Sequence, residues 1–145
     1  MSVFLQHEVA LEVAFHHLDP MEVVWFGNYF QFFDRARCAL MQKIDYDYPQ
    51  MKASGFAWPV VDCHCRYASP ILYDMKVRVL AELVEYENRL KINYTIRDAA
   101  SGKKLCTGFT TQAAVDMRTQ ELCFVTPDVF QDKLRPHLNN TDLSE

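Results

Sequence analysis

The feature that most restricts this chain is one greasy helix with strands on both sides of it. After Asn28, a residue type suited to a helix N-cap, Tyr29, Phe32, Phe33, Ala36, Leu40 and Ile44 recur at helical spacing. That spacing predicts a helix over about 29–44 with one apolar face. Ahead of it, Val9, Leu11, Val13 and Phe15 alternate with Ala10, Glu12, Ala14 and His16, the pattern of a half-buried strand. A loop over 45–55, holding Pro49 and closed by Ser54-Gly55, separates the helix from four more alternating segments. In 58–67, Val61, Cys63, Cys65 and Tyr67 share one face. In 75–87, Val77, Val79, Ala81 and Leu83 are in phase until the pattern slips at Val84, which predicts a bulge. Segment 89–98 sets Leu90, Ile92, Tyr94 and Ile96 against polar neighbours, and 104–116 follows a turn at 99–102. Thr126-Pro127 then predicts a short helix to about Leu134 and a polar tail.

Strands grouped after a helix, rather than alternating with helices, predict an α+β fold with a mostly antiparallel sheet. A 13-residue strand is about 43 Å long, whereas the helix is only about 24 Å. The sheet should therefore curl around the helix. One helix cannot cover both faces and both edges, and an open edge invites pairing with another chain. A homo-oligomer is expected on that ground.

The chain has 145 residues, the size of one domain, and 15 Lys+Arg against 19 Asp+Glu. That acidic balance argues against non-specific nucleic-acid binding, which needs a basic footprint. No secretory leader is read in MSVFLQHEVAL, and no apolar run approaches the ~20 residues that span a bilayer. Five cysteines without paired CxxC spacing fit a reducing, cytoplasmic compartment.

Chemistry concentrates in the irregular stretch between the first strand and the helix. Asp19 precedes Pro20, and Val23, Val24, Trp25 and Phe26 lead to Gly27-Asn28 at the helix start. A carboxylate beside apolar residues is a candidate base or nucleophile. Unpaired N–H groups at a helix start can hold a developing oxyanion, and the apolar run can exclude water. Asp-Pro is also an ordinary turn starter.

The string LDPMEVVWFGNYFQFFDRAR resembles the signature of the 4-hydroxybenzoyl-CoA thioesterase-like group of hotdog-fold acyl-CoA thioesterases. WPVVDCHCRYASPILYD resembles that group's second strand, and GKKLCTGFTTQAAVDMRT its last long strand. The likeness covers roughly residues 8–130. It implies one hotdog domain over 1–145, a curved antiparallel sheet around a long helix, in a dimer or a dimer of dimers. It implies hydrolysis of an acyl-CoA or acyl-carrier-protein thioester without a cofactor. By position in the motif, Asp19 matches the catalytic aspartate and Phe26 the residue whose backbone N–H polarises the carbonyl. Val24, Trp25, Asn28 and Tyr29 fall beside them as substrate contacts. Met21-Glu22 departs from the pattern, which often has a small residue and Gly there. Glycine would tolerate positive φ.

Other residues stay open. Asp34 lies three before Arg37, an ordinary helical ion pair, although a sister group places its acid on this helix. Cys63, His64 and Cys65, with His16 and His17, show strand alternation rather than metal-ligand spacing, so no metal site is read. Cys63 and His64 lie in the strand that resembles a pocket wall, and Trp58 beside Pro59 is either core or tunnel lining. Lys76, Arg78, Arg89, Lys91, Lys103 and Lys104 form a solvated face or meet CoA phosphates or an acidic carrier protein. A hotdog dehydratase would need a His-x-x-x-x-Gly-x-x-Pro motif, absent after His16 and His17. A non-catalytic thioester-binding protein remains the other alternative.

Overall fold

The computed structural model describes residues 2–143. Its elements in chain order are β1 (Leu5–Glu12), 3-10 turns at Phe15–His17 and Phe26–Asn28, α1 (Tyr29–Gln42), α2 (Tyr48–Ala53), β2 (Phe56–Ala57) and β3 (Val60–Tyr67). They continue with β4 (Lys76–Glu85), β5 (Leu90–Asp98), β6 (Lys104–Gln112), β7 (Val115–Asp116) and α3 (Asp128–Leu143). Five strands form an antiparallel sheet in the order β1-β4-β5-β6-β3, and β2 pairs with β7. This is the α+β arrangement expected from the sequence.

The apolar face of α1 lies on the sheet. Tyr29, Phe32, Phe33, Ala36, Leu40 and Met41 are all buried, and so is Ile44 just beyond the helix. Opposite them, Val77, Val79, Ala81 and Leu83 of β4 and Leu90, Ile92, Tyr94 and Ile96 of β5 are buried in strict alternation. Phe33 stacks on Tyr94 with ring centroids 4.4 Å apart. Gly108 on β6 makes room for this contact. A Cβ there would fall 2.3 Å from the His64 carbonyl oxygen and 2.6 Å from the Phe33 ring. The slip at Val84 is a register shift between Leu83 and Glu85 against β5, the bulge expected.

Five readings change. The first strand begins at Leu5 and ends at Glu12, because the His17 N–H donates to the Ala14 carbonyl and curls the chain. Phe15 is thereby turned outward, 75% exposed. Asn28 is not a side-chain cap; it has helical φ and ψ, and the 3-10 turn leads straight into α1. The loop over 45–55 contains α2, whose start is an Asp47–Gln50 capping box with Pro49 in the first turn. α3 runs past Leu134 through Pro136, while the last two residues of the expected tail lie outside those described. Finally, β3 is exposed along its length except at Cys65, so most of the face read over Val61, Cys63, Cys65 and Tyr67 is uncovered among the described residues.

Candidate functional site

The segment between β1 and α1 is a small hairpin fixed by backbone bonds. Leu18 bridges Val24, the Asp19 N–H donates to the Val23 carbonyl (2.9 Å), and the Glu22 N–H donates to the Asp19 carbonyl (3.0 Å). Pro20 supplies the second position of the resulting turn, which its fixed φ suits. The Asp19 Oδ1 accepts from the Met21 N–H at 2.8 Å. That bond orients a half-buried carboxylate at the hairpin tip. Glu22 sits at φ 64°, the left-handed region in which glycine is at ease. Val23 bridges Leu72, and the Val24 N–H donates to the Ile71 carbonyl at 2.8 Å, which pins the hairpin to the chain leading into β4.

His17 joins this hairpin to the helix. Its carbonyl accepts from the Trp25 N–H (2.9 Å) and from Asn28 Nδ2 (2.8 Å). Its ring is buried, and Nδ1 accepts from the Ala14 N–H at 2.9 Å, so the neutral ring carries its proton on Nε2. Burial first, then the nearby His16 and Arg35 charges, hold its pKa below the ordinary 6.5. Asn28 therefore acts as a clamp between the 3-10 turn at Phe15–His17 and the helix start, rather than as a cap.

At the helix start the Phe26 carbonyl accepts from the Tyr67 hydroxyl at 2.8 Å and from the Tyr29 N–H. The Phe26 N–H has no acceptor among the described residues. It is thus an oriented donor at the positive end of the helix. Phe26 as a residue is 63% exposed. Trp25 lies across Gly27: a Cβ on that glycine would come within 2.2 Å of the indole. Below, Tyr29 packs edge-on against Tyr67 at 4.6 Å. Burial is the main cause that pushes the Tyr29 hydroxyl up to about 12. Beside them, Cys65 Sγ and Cys106 Sγ are 3.2 Å apart. Their shared hydrogen bond lowers the Cys65 pKa and raises that of Cys106.

A second polar centre lies farther along α1. Arg37 is 2% exposed; its Nε donates to Asp34 (3.1 Å), and its Nη2 to Asp47 (3.3 Å) and to Cys38 Sγ (2.9 Å). The guanidinium carbon sits 3.9 Å from the Tyr48 ring centre, and the Tyr48 hydroxyl donates to Asp34. Nη1 is buried with no partner among the described residues. Such an orphan donor costs on the order of 1–3 kcal/mol, more when charged. Asp34 and Arg37 line a cavity of about 160 Å³, together with Phe30, Val60, Cys63, Tyr94 and Thr110. Tyr94 and Thr110 share a hydroxyl–hydroxyl bond of 2.8 Å there.

The residues expected at a site thus divide into groups. Asp19, Trp25, Phe26, Asn28 and Tyr29 gather around the hairpin and the helix start, with Val24 buried behind them. Cys63 lines the α1 cavity, while His64 points to the other face of β3 and stacks on Phe109. Trp58 is core: it is 5% exposed, packs on Tyr46 and Phe130, and gives its Nε1–H to the Tyr46 hydroxyl. Of the basic residues, Arg89 is bonded to Glu85, Arg78 lies 3.9 Å from Glu8, and Lys91 lies over the Phe109 ring. The sequence reading missed the His17 clamp, the Tyr67 bond and the burial of Arg37. Only Arg37 had a local signal, its spacing from Asp34, and that spacing is equally common on exposed helices.

A family model described as Thioesterase-like superfamily matches residues 13–134. A Synechocystis sp. protein named "Putative esterase sll0410" is 27% identical over 128 residues, covering 88% of this chain and 77% of that one. Among solved structures, a DHNA-CoA thioesterase from Staphylococcus aureus superposes with a TM-score of 0.82 at 24% identity, over 95% of this chain and 91% of that chain. A 1,4-dihydroxy-2-naphthoyl-CoA thioesterase from Synechocystis gives a TM-score of 0.82 at 16% identity, over 94% and 98%. The shared fold is the hotdog fold.

Proposed function

Because the chain belongs to the Thioesterase-like superfamily, we propose that it hydrolyses an acyl thioester at the start of α1. The observation that carries this reading is the Phe26 N–H, which opens the 3-10 turn leading into α1, belongs to an exposed residue, and has no acceptor among the described residues. In the proposed reaction the thioester carbonyl oxygen accepts from that N–H. Asp19 takes a proton from a water molecule whose oxygen adds to the carbonyl carbon. The tetrahedral oxyanion stays on the Phe26 donor. Its collapse breaks the carbon–sulfur bond, and the departing thiolate recovers the proton as the free thiol. Direct attack by Asp19 would pass instead through a mixed anhydride, which water then opens. Trp25 and Asn28 shape the mouth around the sulfur, with Tyr29 buried beneath them. The CoA esters in the names of two structural neighbours favour coenzyme A over a carrier protein as the thiol.

Assembly belongs to the same reading. β3 ends the sheet with both faces exposed, and Val60, Val61 and Tyr67 are each about half exposed. A second copy paired along this edge would remove the unpaired strand. Light scattering should find a dimer or larger at micromolar concentration, and a stable monomer would end that part of the proposal. Among the described residues no helix is long and apolar enough to cross a membrane.

Two variants test the chemistry by thiol release. Asp19→Asn keeps an acceptor for the Met21 N–H and should lower kcat by about 10²–10⁴. Near wild-type turnover would remove Asp19 from the mechanism. Phe26→Pro deletes the donor itself and should cost about 10²–10³. Trp25 already has the extended backbone that a residue before proline requires, and Phe26 opens a helical turn, where proline is tolerated. Phe26→Ala, which keeps the N–H, is the control.

A further inference from the structure

We propose that Cys65 and Cys106 are a modification site, where a hydroperoxide oxidises the two thiols to a reversible disulfide and the new bond draws Tyr67 off the helix start. The cross-link stands apart from the thioesterase reading, whereas its effect on turnover rests on that reading. Three observations converge on it. First, Cys65 pairs with Gly108 and Tyr67 with Cys106, so the two cysteines are diagonal neighbours on one face of β3 and β6. Their Sγ atoms are 3.2 Å apart, against about 2.0 Å in a disulfide, so only about 1 Å remains to close. Second, the two thiols differ. Cys65 is half-buried, and hydrogen bonds from Cys106 and then from Tyr67 outweigh its burial and hold its pKa below the ordinary 9.0. Cys106 is fully buried, and its bond to Cys65, then burial, push its pKa up. A reachable sulfur inclined to the thiolate thus lies beside a sheltered partner, the arrangement in which an oxidised cysteine is captured by a second thiol. Third, β3 is the edge strand, bonded to the sheet through β6 alone, while β6 is held on both sides. The remaining closure therefore falls on β3. Tyr67 travels with it, and its hydroxyl is the donor to the Phe26 carbonyl at 2.8 Å.

The chemistry balances. The Cys65 thiolate attacks one oxygen of hydrogen peroxide, the O–O bond breaks, and the departing hydroxide takes the proton that Cys65 released. Cys65 is then a sulfenic acid. The thiolate charge that held the proton on Cys106 is gone, and the Cys106 sulfur attacks the Cys65 sulfur. The S–S bond forms, the S–O bond breaks, and hydroxide leaves with the Cys106 proton as a second water. Two electrons pass from the sulfurs to the peroxide oxygens. A dithiol such as dithiothreitol reverses the result by exchange.

The test separates proximity from exposure. Cys63 is exposed and lies two residues from Cys65. Trypsin leaves Cys63 and Cys65 on residues 53–66 and Cys106 on residues 105–118. In the Cys63→Ser protein the first peptide holds Cys65 alone, so a joined pair identifies the bond. After a small excess of hydrogen peroxide and alkylation of the remaining thiols, the two peptides should be joined, and dithiothreitol should part them. The Tyr29 N–H donates to the same Phe26 carbonyl, so its hydrogen exchange should quicken on oxidation. Turnover, followed by loss of thioester absorbance, should fall by about 10- to 100-fold, the scale of a misplacement of about 1 Å, and recover with dithiothreitol. Adding Cys65→Ser should abolish the link, the faster exchange and the loss of turnover together. Should that double variant fail to fold, the joined peptides and the exchange of the Cys63→Ser protein still decide. Separate peptides after oxidation, or Cys65 carried to the sulfinic acid without a link, overturn the site. A link with unchanged Tyr29 exchange overturns the coupling to Tyr67. A link with faster exchange in a protein that hydrolyses no thioester even when reduced supports the inference and removes the hydrolase reading instead.

Discussion

β5 and β3 carry the same kind of alternation in sequence, and the fold treats them oppositely. In β5, Leu90, Ile92, Tyr94 and Ile96 are all at most 1% exposed. In β3, Val60 and Val61 are more than half exposed, and Cys63 is exposed as well. The reason is position. β5 lies at the centre of the sheet with α1 over it, whereas β3 is the edge strand, which α1 meets at Tyr67 and leaves largely exposed. Alternation reports that a strand has an apolar face. What covers the face depends on strand order, which alternation does not encode. The uncovered strand borders the α1 cavity, and the hairpin at the helix start is held by backbone bonds and by the buried Val24. Burial is concentrated in the centre, and the proposed chemistry sits at its margin.

The largest expected effect breaks the covered side. Phe33→Ala removes the ring stacked on Tyr94 and should cost about 3–5 kcal/mol in urea unfolding. Gly108→Ala attacks the same contact from the sheet. Its Cβ would meet the His64 backbone oxygen, which cannot swing aside as a side chain can, so β3 itself must shift. A loss below 1 kcal/mol for Phe33→Ala would mean that the centre is no better packed than the edge.

A middle-sized effect probes the hairpin through pH. The neutral His17 ring is favoured in the fold, because burial holds its pKa below 6.5. The unfolded chain therefore takes up a proton that the folded chain resists. The stability from neutral His17 is complete above about pH 6.5 and is lost as pH falls through the folded-state pKa. Unfolding free energy should decline from pH 7.5 to 5.5, and His17→Gln should flatten that slope. An unchanged slope in the variant would place the titration elsewhere.

Much of the covered half can be read without a structure, and little of the margin can. The helix face from Tyr29 to Ile44, the strand faces of β4 and β5, and the bulge at Val84 follow from periodicity, because a single residue's parity decides its burial there. The string at 18–37 is legible through its resemblance to a family. Bonds between residues distant in sequence are not. The Tyr67 hydroxyl on the Phe26 carbonyl joins positions 41 apart, and no local pattern announces it. Trp58 shows the same limit: its neighbours gave a tunnel or a core, and Phe130 on α3 decides for core. α2 was hidden for a different reason. Pro49 suggests a break when read alone, and a first turn when read with Asp47 and Gln50.

A smaller effect concerns the turn that bears Asp19. A side chain in the left-handed region costs roughly 1–2 kcal/mol, and glycine gives back part of this in unfolded-state entropy. Glu22→Gly should therefore stabilise by about 0.5–1 kcal/mol, with kcat little changed. A loss of stability would show that Glu22 makes a compensating contact in the folded protein.

The smallest expected effect is the one that most sharpens the contrast between the strands. Val61→Ser removes apolar surface from a side chain that is 56% exposed within one chain. For a monomer in dilute solution the change should lie within about 0.5 kcal/mol. The same substitution should become costly once two edges pair, since the side chain is then taken out of water. Unfolding midpoints measured over a hundredfold range of protein concentration separate the two situations. Wild-type stability should rise with concentration, as mass action requires of a dimer, and Val61→Ser should rise less. Parallel curves, with no dependence on concentration, would leave β3 a strand that water alone covers.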